Sequence, residues 1–173
     1  EGVHITCETA PHYLLLNDSM LQEAGNWKMN PPLRSEEDRL ALIEGIKDGT
    51  IDIIATDHAP HSLEEKSRGL EKSPFGITGI ELAFPLLYTG LVKKGIITLD
   101  KLIDLLVVNP REIFGIPYDG FSIWNLDEEF EVKEETFLSK GKSTPFIGAK
   151  LYGVNYLTVC NNHIVYEKEE GNN

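Results

Sequence analysis

The sequence has little of what marks a disulfide-bonded, nucleic-acid-binding or membrane protein. Its two cysteines, Cys7 and Cys160, lie far apart and match no zinc-ribbon or redox spacing, which predicts two buried thiols in a reducing cytosol. Only 16 basic residues stand against 28 acidic ones, and the net charge of −12 argues against a nucleic-acid partner. No apolar run approaches the length of a bilayer span, and no basic amphipathic segment indicates a membrane surface.

What is present is the composition of a globular, cytoplasmic domain. The chain has 173 residues, of which 41% are hydrophobic and 25% charged, enough for one domain with its own core. It does not begin with Met, and residues 3–7 already have the pattern of a strand. These two features predict a fragment of a longer chain.

The order of the predicted elements indicates an α/β fold followed by a small β section. Strands are predicted at residues 3–8 and 51–55, and the helix between them begins at a capping motif at Ser35 and ends at Gly49. Further helices are predicted at residues 17–25, 78–94, 99–107 and 110–115. The helix at 78–94 begins at a capping box of Thr78 and Glu81, and Thr98 and Asn109 are the predicted N-caps of the two helices that follow. From residue 119 onward, short β-like runs predict antiparallel strands. Two parallel strands would leave unpaired edges, so other segments or another chain must complete the sheet.

A run of titratable side chains, TDHAPH, follows the strand predicted at residues 51–55. In α/β folds the chemistry lies just past the carboxyl ends of the strands, and Asp57 occupies that position. A carboxylate there can bind a metal ion and accept a proton, and His61 could hydrogen-bond an anionic substrate. Alternatively, Asp57 caps a turn and the histidines are merely exposed. Adjacent residues seldom converge on one ion, so this run alone does not predict a complete zinc site.

Three other segments carry polar groups on constrained backbone. In KMNPPLR, Asn30 precedes two prolines, and its amide can both donate to and accept from a cyclic amide or imide; taken alone, the segment is better explained as a rigid loop without a ligand. In SPFGITG, Phe75 and Gly76 close a loop of about twenty residues, a length typical of lids and binding loops, although an ordinary helix entry is the alternative. In CETAPHY, His12 is more typical of a packing residue than of a ligand.

Together, CETAPHY, KMNPPLR, TDHAPH, PFGITG, NPREIFG and FLSK…TPFIG resemble, in order and spacing, the C-terminal part of the bacterial-type dihydroorotases of the amidohydrolase superfamily. The pairing of TDHAPH with NPPLR separates them from hydantoinases and allantoinases. The resemblance implies that residues 1–118 are the last strands and helices of a (β/α)8 TIM-type barrel and residues 119–173 a small antiparallel β section. It also implies reversible hydrolysis of L-dihydroorotate to N-carbamoyl-L-aspartate in pyrimidine biosynthesis.

The resemblance further implies one or two zinc ions and roles for five residues. Asp57 matches an aspartate that ligates zinc and transfers a proton between the attacking water and the leaving nitrogen. Asn30 and His61 match residues that bind the substrate. Phe75 and Gly76 match a pair whose backbone holds the pyrimidine ring.

The other zinc ligands of the family lie on earlier barrel strands and are not in this sequence. We therefore expect them upstream of Glu1, and expect these 173 residues alone to be inactive. The expected partners are the small-molecule substrate, the missing N-terminal barrel segment and a second copy in a homodimer. One alternative is a non-catalytic dihydroorotase-like partner of aspartate transcarbamoylase, although retention of Asp57, Asn30 and His61 argues against it. Another is a related hydantoinase or allantoinase.

Overall fold

A computed structural model describes residues 2–3 and 5–169, which form an α/β part followed by an antiparallel sheet. The strands are β1 (Glu8–Thr9), β2 (Ile53–Ile54), β3 (Gly120–Glu131), β4 (Lys150–Cys160) and β5 (His163–Glu167). The α-helices are α1 (Pro11–Leu15), α2 (Glu36–Asp48), α3 (Leu63–Lys66), α4 (Gly69–Lys72), α5 (Ala83–Leu87), α6 (Leu99–Ile103) and α7 (Asn109–Phe114). Within these described ranges, no helix is long and apolar enough to cross a membrane.

Helix α2 forms where the sequence predicts it. The Ser35 hydroxyl accepts from the Asp38 N–H and the Asp38 carboxylate accepts from the Ser35 N–H, which satisfies two backbone donors of the first turn. Gly49 ends the helix in the left-handed region, at a φ of 84° that glycine adopts without steric cost. Both predicted ends of the helix are confirmed.

The other helices follow the prediction less closely. Residues 17–25 form two short 3₁₀ turns (Asp18–Met20 and Gly25–Trp27) instead of a helix, because the Asn17 side chain accepts from the N–H of Ser19 and bends the chain locally. The helix predicted at 78–94 is a 3₁₀ turn at Ile80–Leu82, then α5, then a wider π-type segment at Tyr88–Val92.

Thr98 caps α6 as predicted, but Asn109 does not cap α7. The Thr98 side chain accepts from the Lys101 N–H at 3.1 Å. After α6 the helix continues through a π-type segment, Asp104–Val108, into α7, so Asn109 already lies inside a helix. Its side chain instead donates to the Asp52 carbonyl at 2.7 Å and ties this helix to the start of β2.

Strands β1 and β2 are much shorter than predicted, although they pair in parallel as an α/β fold requires. Glu8 is opposite Ile53 and Thr9 is opposite Ile54. His4, within the predicted first strand, lies outside the described residues. Cys7 is exposed, because nothing within the described residues covers this part of the strand, so the prediction of a buried thiol is wrong for this cysteine.

The C-terminal section is a three-stranded antiparallel sheet in the order β3-β4-β5, as the short β-like runs predict. The runs predicted as separate strands merge: β3 and β4 are single long strands whose pairing shifts register at bulges between Ile123 and Trp124 and between Asn125 and Glu129.

Three apolar clusters hold these layers together. The largest packs α2 and β2 against the helices between residues 83 and 108, and its buried members are Leu14, Ile43, Ile46, Ile51, Ile54, Leu87, Leu91, Ile97, Leu102 and Leu105. The second joins α5 to the β section through Leu82, Leu86, Val132, Phe137, Phe146 and Leu151. The third, beside the loops described below, consists of Trp27, Met29, Leu33 and Ile77.

Neighbouring residues of α6 provide a test of the largest cluster. Leu102 is fully buried and Ile103 is 40% exposed. We expect Leu102→Ala to lower the free energy of unfolding by about 2–5 kcal/mol, because it removes transfer free energy and leaves a cavity. Ile103→Ala should cost about 1 kcal/mol or less. Urea denaturation of both variants measures the difference, and equal losses would contradict this packing.

Candidate active site

The parallel pairing of β1 and β2 brings the segments that follow them to the same edge. Asp57 lies three residues beyond β2, exposed, with a φ of 47°. Aspartate tolerates the left-handed region better than most residues, and such backbone conformations cluster at functional sites. The site's edge therefore presents one carboxylate on constrained backbone.

Tyr13, which follows β1, links Asp57 to the loop that carries Asn30. Its hydroxyl donates to the Pro31 carbonyl at 2.7 Å. Burial and, to a smaller extent, the negative charge of Asp57 together raise the pKa of Tyr13 to about 12. The Tyr13 hydroxyl therefore stays protonated at neutral pH, and Asp57 lies close enough for its charge to affect the pKa of Tyr13.

The loop at residues 28–31 lies directly against the loop at residues 74–76. Gly76 donates its N–H to the Lys28 carbonyl at 3.0 Å, and the Lys28 ammonium lies 4.7 Å from the centre of the Phe75 ring. Asn30 is exposed beside this contact, preceding a cis peptide bond to Pro31. Its amide is accessible to a ligand.

His61 is fixed by the same loop. Its Nε2 lies 2.9 Å from the Phe75 carbonyl oxygen, a partner that requires the hydrogen on Nε2, and its Nδ1 lies 3.7 Å from Glu65. A contact from His61 to a substrate, as the resemblance implies, stays a prediction. In the structure, Nε2 of His61 already contacts the Phe75 carbonyl, and Nδ1 faces Glu65.

Gly76 occupies a position that only glycine fits. Its φ is +121°, and a Cβ atom there would lie 2.6 Å from the Ala59 side chain and 2.7 Å from the Ala59 carbonyl. The close approach holds the Phe75–Gly76 backbone against the segment between Asp57 and His61. Asn30, Phe75 and Gly76 thus lie in two contacting loops, and His61 contacts the second of these loops through the Phe75 carbonyl. Asp57 lies in the segment that leads to His61, close enough to Tyr13 to raise its pKa.

His58 has a structural role, as the sequence suggests. Its Nδ1 accepts from the N–H groups of Gly79 and Ile80, both at 3.2 Å, at the start of the 3₁₀ turn before α5. His58 and Ile77 also form a parallel bridge, which continues the β1–β2 edge by one more segment.

Several residues that support the site are missing from the sequence-based prediction. Thr78 and Glu81 fit a capping box, but the structure shows that prediction to be wrong. The Thr78 hydroxyl donates to the Gly141 carbonyl at 2.6 Å, and the Glu81 carboxylate accepts from the Leu138 and Ser139 N–H groups. These contacts bring the late FLSK segment against His61. No signal in the local sequence indicates them.

Comparisons with known proteins show which proteins this chain is similar to. No protein-family model matches the chain. It is 51% identical over 177 residues to a dihydroorotase of Bacillus thuringiensis (strain Al Hakam), covering 97% of this chain and 41% of that protein. A dihydroorotase of Brevibacillus brevis is 52% identical over 176 residues, covering 96% and 41%.

Solved structures of other proteins superpose on this chain. The L-hydantoinase (dihydropyrimidinase) of Arthrobacter aurescens superposes with a TM-score of 0.84 at 30% identity, over 95% of this chain and 40% of that one. The dihydropyrimidinase of Brevibacillus agri shares the fold at a TM-score of 0.84 and 22% identity. Over nearly its whole length the chain is similar in sequence to part of these dihydroorotases. It spans about two fifths of the length of the dihydroorotases that it matches.

The residues that the structure describes do not form a complete metal centre. Within residues 2–3 and 5–169, no three histidine, cysteine, aspartate or glutamate side chains lie close enough together to hold a metal ion. The Asp57 carboxylate fits as one oxygen ligand, but a catalytic zinc site needs three or more protein ligands. The residues present do not fit a whole centre.

His12, the other histidine of the predicted segments, is buried (2% exposed), and its Nε2 has no hydrogen-bond partner within the described residues. Burial lowers the pKa of His12 to about 4. Between pH 6.5 and 4 the unfolded chain takes up a proton that the folded chain does not. The contribution of neutral His12 to the free energy of unfolding is therefore fully present above pH 6.5. It falls by about 3 kcal/mol in total as the pH drops toward 4.

This difference predicts the effect of replacing His12. We expect His12→Gln to lose less stability than the wild type between pH 7 and pH 4.5, because glutamine does not titrate. The exposed His163→Gln is the matched control and should keep the wild-type dependence. Denaturant midpoints at both pH values give the result, and an unchanged dependence in His12→Gln would show that folding does not lower the pKa of His12.

Proposed function

We propose that this chain is the C-terminal part of a zinc-dependent dihydroorotase, which reversibly hydrolyses L-dihydroorotate to N-carbamoyl-L-aspartate in the cytoplasm. The observation that carries the proposal is the identity of 51–52% to dihydroorotases over nearly the whole chain, against 30% to an L-hydantoinase. That difference favours the dihydroorotate ring as substrate over a hydantoin ring.

We further propose that β1 and β2 are the last strands of a (β/α)8 barrel. Their parallel pairing, the functional side chains past their carboxyl ends and the match to 40% of an L-hydantoinase chain support this. The earlier strands and the remaining zinc ligands would come from a segment outside this chain. Residues 1–118 would then belong to the barrel and residues 119–173 to the β section, and the whole protein would form a homodimer.

The chemistry assigned to this chain is proton transfer and ring binding. We propose that Asp57 would be one ligand of a zinc ion, which, when bound, would polarise the ring carbonyl and lower the pKa of a water molecule. Asp57 accepts the proton of the attacking water as the C–O bond forms, and returns it to the ring nitrogen as the C–N bond breaks. Its exposed position suits both partners.

The loops supply the binding contacts. The exposed amide of Asn30 would donate to a ring carbonyl or accept from a ring N–H, and the backbone of Phe75 and Gly76 would hold the ring edge. The contact between Gly76 N–H and the Lys28 carbonyl supports a shared binding surface, because it fixes the two loops relative to each other before substrate arrives. His61 would complete the surface.

Asp57→Asn in the full-length protein tests the proposal. We expect turnover of dihydroorotate to fall by about a thousandfold or more, because the amide neither accepts the proton nor carries a charge for zinc. The circular dichroism spectrum and the unfolding midpoint should not change. Asp104→Asn, at an exposed helix position, is the control and should retain full activity.

The substrate ring is tested separately. The fold similarity to hydantoinases makes a hydantoin the second candidate. We expect kcat/KM for dihydroorotate to exceed that for hydantoin and allantoin by at least about a hundredfold, since hydrogen-bonding sites reject mismatched rings. A preference for hydantoin would overturn the assignment as a dihydroorotase, but the protein would still be a cyclic amidohydrolase. A wild-type protein without metal or turnover that binds aspartate transcarbamoylase would favour the non-catalytic alternative.

A further inference from the structure

Lys66, at the end of α3, carries an ammonium group buried beneath the two candidate substrate loops. Its side chain is 5% exposed. The Nζ atom donates to three backbone carbonyls: Gly76 at 2.7 Å, Pro74 at 2.9 Å and Lys28 at 3.2 Å. An ammonium has three N–H donors, so this geometry uses all of them.

The environment of this ammonium is unusual because its partners are neutral. No carboxylate pairs with Lys66 in the part of the chain that the structure describes. Burial and, to a smaller extent, the charge of Lys28 together lower the pKa of Lys66 to about 8. A buried, unpaired charge is costly to the fold. Its three hydrogen bonds offset part of that cost and tie the ammonium to these three carbonyls.

The three acceptors belong to both loops of the candidate site. Two lie on either side of Phe75, and the third is the Lys28 carbonyl that also accepts the Gly76 N–H. In a trans peptide the N–H points opposite to the C=O. With the Pro74 carbonyl turned toward Lys66, the Phe75 N–H points away from the buried amine, on the side where Phe75 itself is exposed.

The backbone of Lys66 is anchored as firmly as its side chain. The Ser73 hydroxyl donates to the Lys66 carbonyl at 3.2 Å. Gly25 packs so closely that a Cβ atom there would lie 2.1 Å from the same carbonyl oxygen. The amine is therefore held at a fixed point between the turn that precedes Lys28 and the loop at residues 74–76.

We propose that Lys66 is the positioning residue of the substrate-ring site. Its ammonium holds the backbone of residues 74–76 against the loop that carries Asn30, so that both loops already have their binding conformation when the ring arrives. The assignment deepens the proposed dihydroorotase function and rests on it. Lys66 touches no reacting atom and acts through the backbone of Phe75 and Gly76.

The test compares Lys66→Met with Lys72→Met in the full-length protein. Methionine keeps the length of the lysine stem but donates no hydrogen bond. Lys72, on the neighbouring helix α4, is exposed and loses the same charge. For Lys66→Met we expect KM for dihydroorotate to rise about tenfold while kcat changes less than about threefold, because binding is lost without direct loss of the proton transfer. Lys72→Met should match the wild type.

Hydrogen exchange of the segment at residues 74–79 provides a readout that does not depend on activity. We expect faster exchange in Lys66→Met than in Lys72→Met, because the Gly76 N–H loses its fixed acceptor. Lys66→Gln, which keeps polarity but offers fewer donors, should show the same direction in both measurements.

Unchanged KM and unchanged exchange in a folded Lys66→Met would overturn the proposal. Misfolding of both Lys66 variants beside a folded Lys72→Met would also overturn it, by making Lys66 a residue of general stability. Failure of the dihydroorotase function looks different: the wild type itself would not turn over dihydroorotate, and the exchange comparison would still decide whether Lys66 orders the loops.

Discussion

The parallel pairing of β1 with β2 is the constraint on which the candidate site depends. Because parallel strands end at the same edge, the register of Glu8 with Ile53 obliges Tyr13 and Asp57 to follow their strands side by side. The bridge between His58 and Ile77 extends the edge to the loop that ends at Gly76. Segments far apart in the sequence therefore meet where two parallel strands end, the usual place for chemistry in an α/β fold.

Polar contacts to backbone carbonyls, more than apolar packing, hold the loops at this edge. Tyr13 donates to Pro31, His61 Nε2 lies against the Phe75 carbonyl, and Lys66 donates to three carbonyls. A hydrogen bond fixes direction as well as distance, which apolar contact does not. Directional contacts of this kind hold a binding surface in one geometry before a ligand arrives. The apolar cluster of Trp27, Met29, Leu33 and Ile77 packs beside the same loops.

The sequence predicted the parts of this structure that depend on local chemistry. The Ser35 cap, the Gly49 stop and the Thr98 cap each need only neighbours within a few residues, and all three are confirmed. The position of Asp57 past a strand follows from the apolar run before it. The motif resemblance is confirmed by the identity to dihydroorotases. The roles of the five candidate residues stay predictions, supported by their shared location.

The rest depended on contacts between distant residues. Thr78 and Glu81 have the spacing of a capping box, but acceptors and donors 57 to 63 residues away engage both side chains. In the sequence, Lys66 looks like an ordinary charged residue of a short solvated helix. One of its acceptors, the Lys28 carbonyl, is 38 residues away. Strands β1 and β2 are short because, within the described residues, each pairs only with the other. The strand propensity of a segment does not reveal which strands pair with it from elsewhere in the chain or from outside it.

The account's central claim is that Asp57, Asn30 and the Phe75–Gly76 backbone surround one cyclic substrate. A crystal structure of the full-length protein with bound dihydroorotate tests it most directly. We expect the ring to contact Asn30 and the backbone of Phe75 and Gly76, with an Asp57 oxygen about 2 Å from a metal ion. A ring bound at another place, or an Asp57 carboxylate turned into solvent away from ring and metal, would contradict the account.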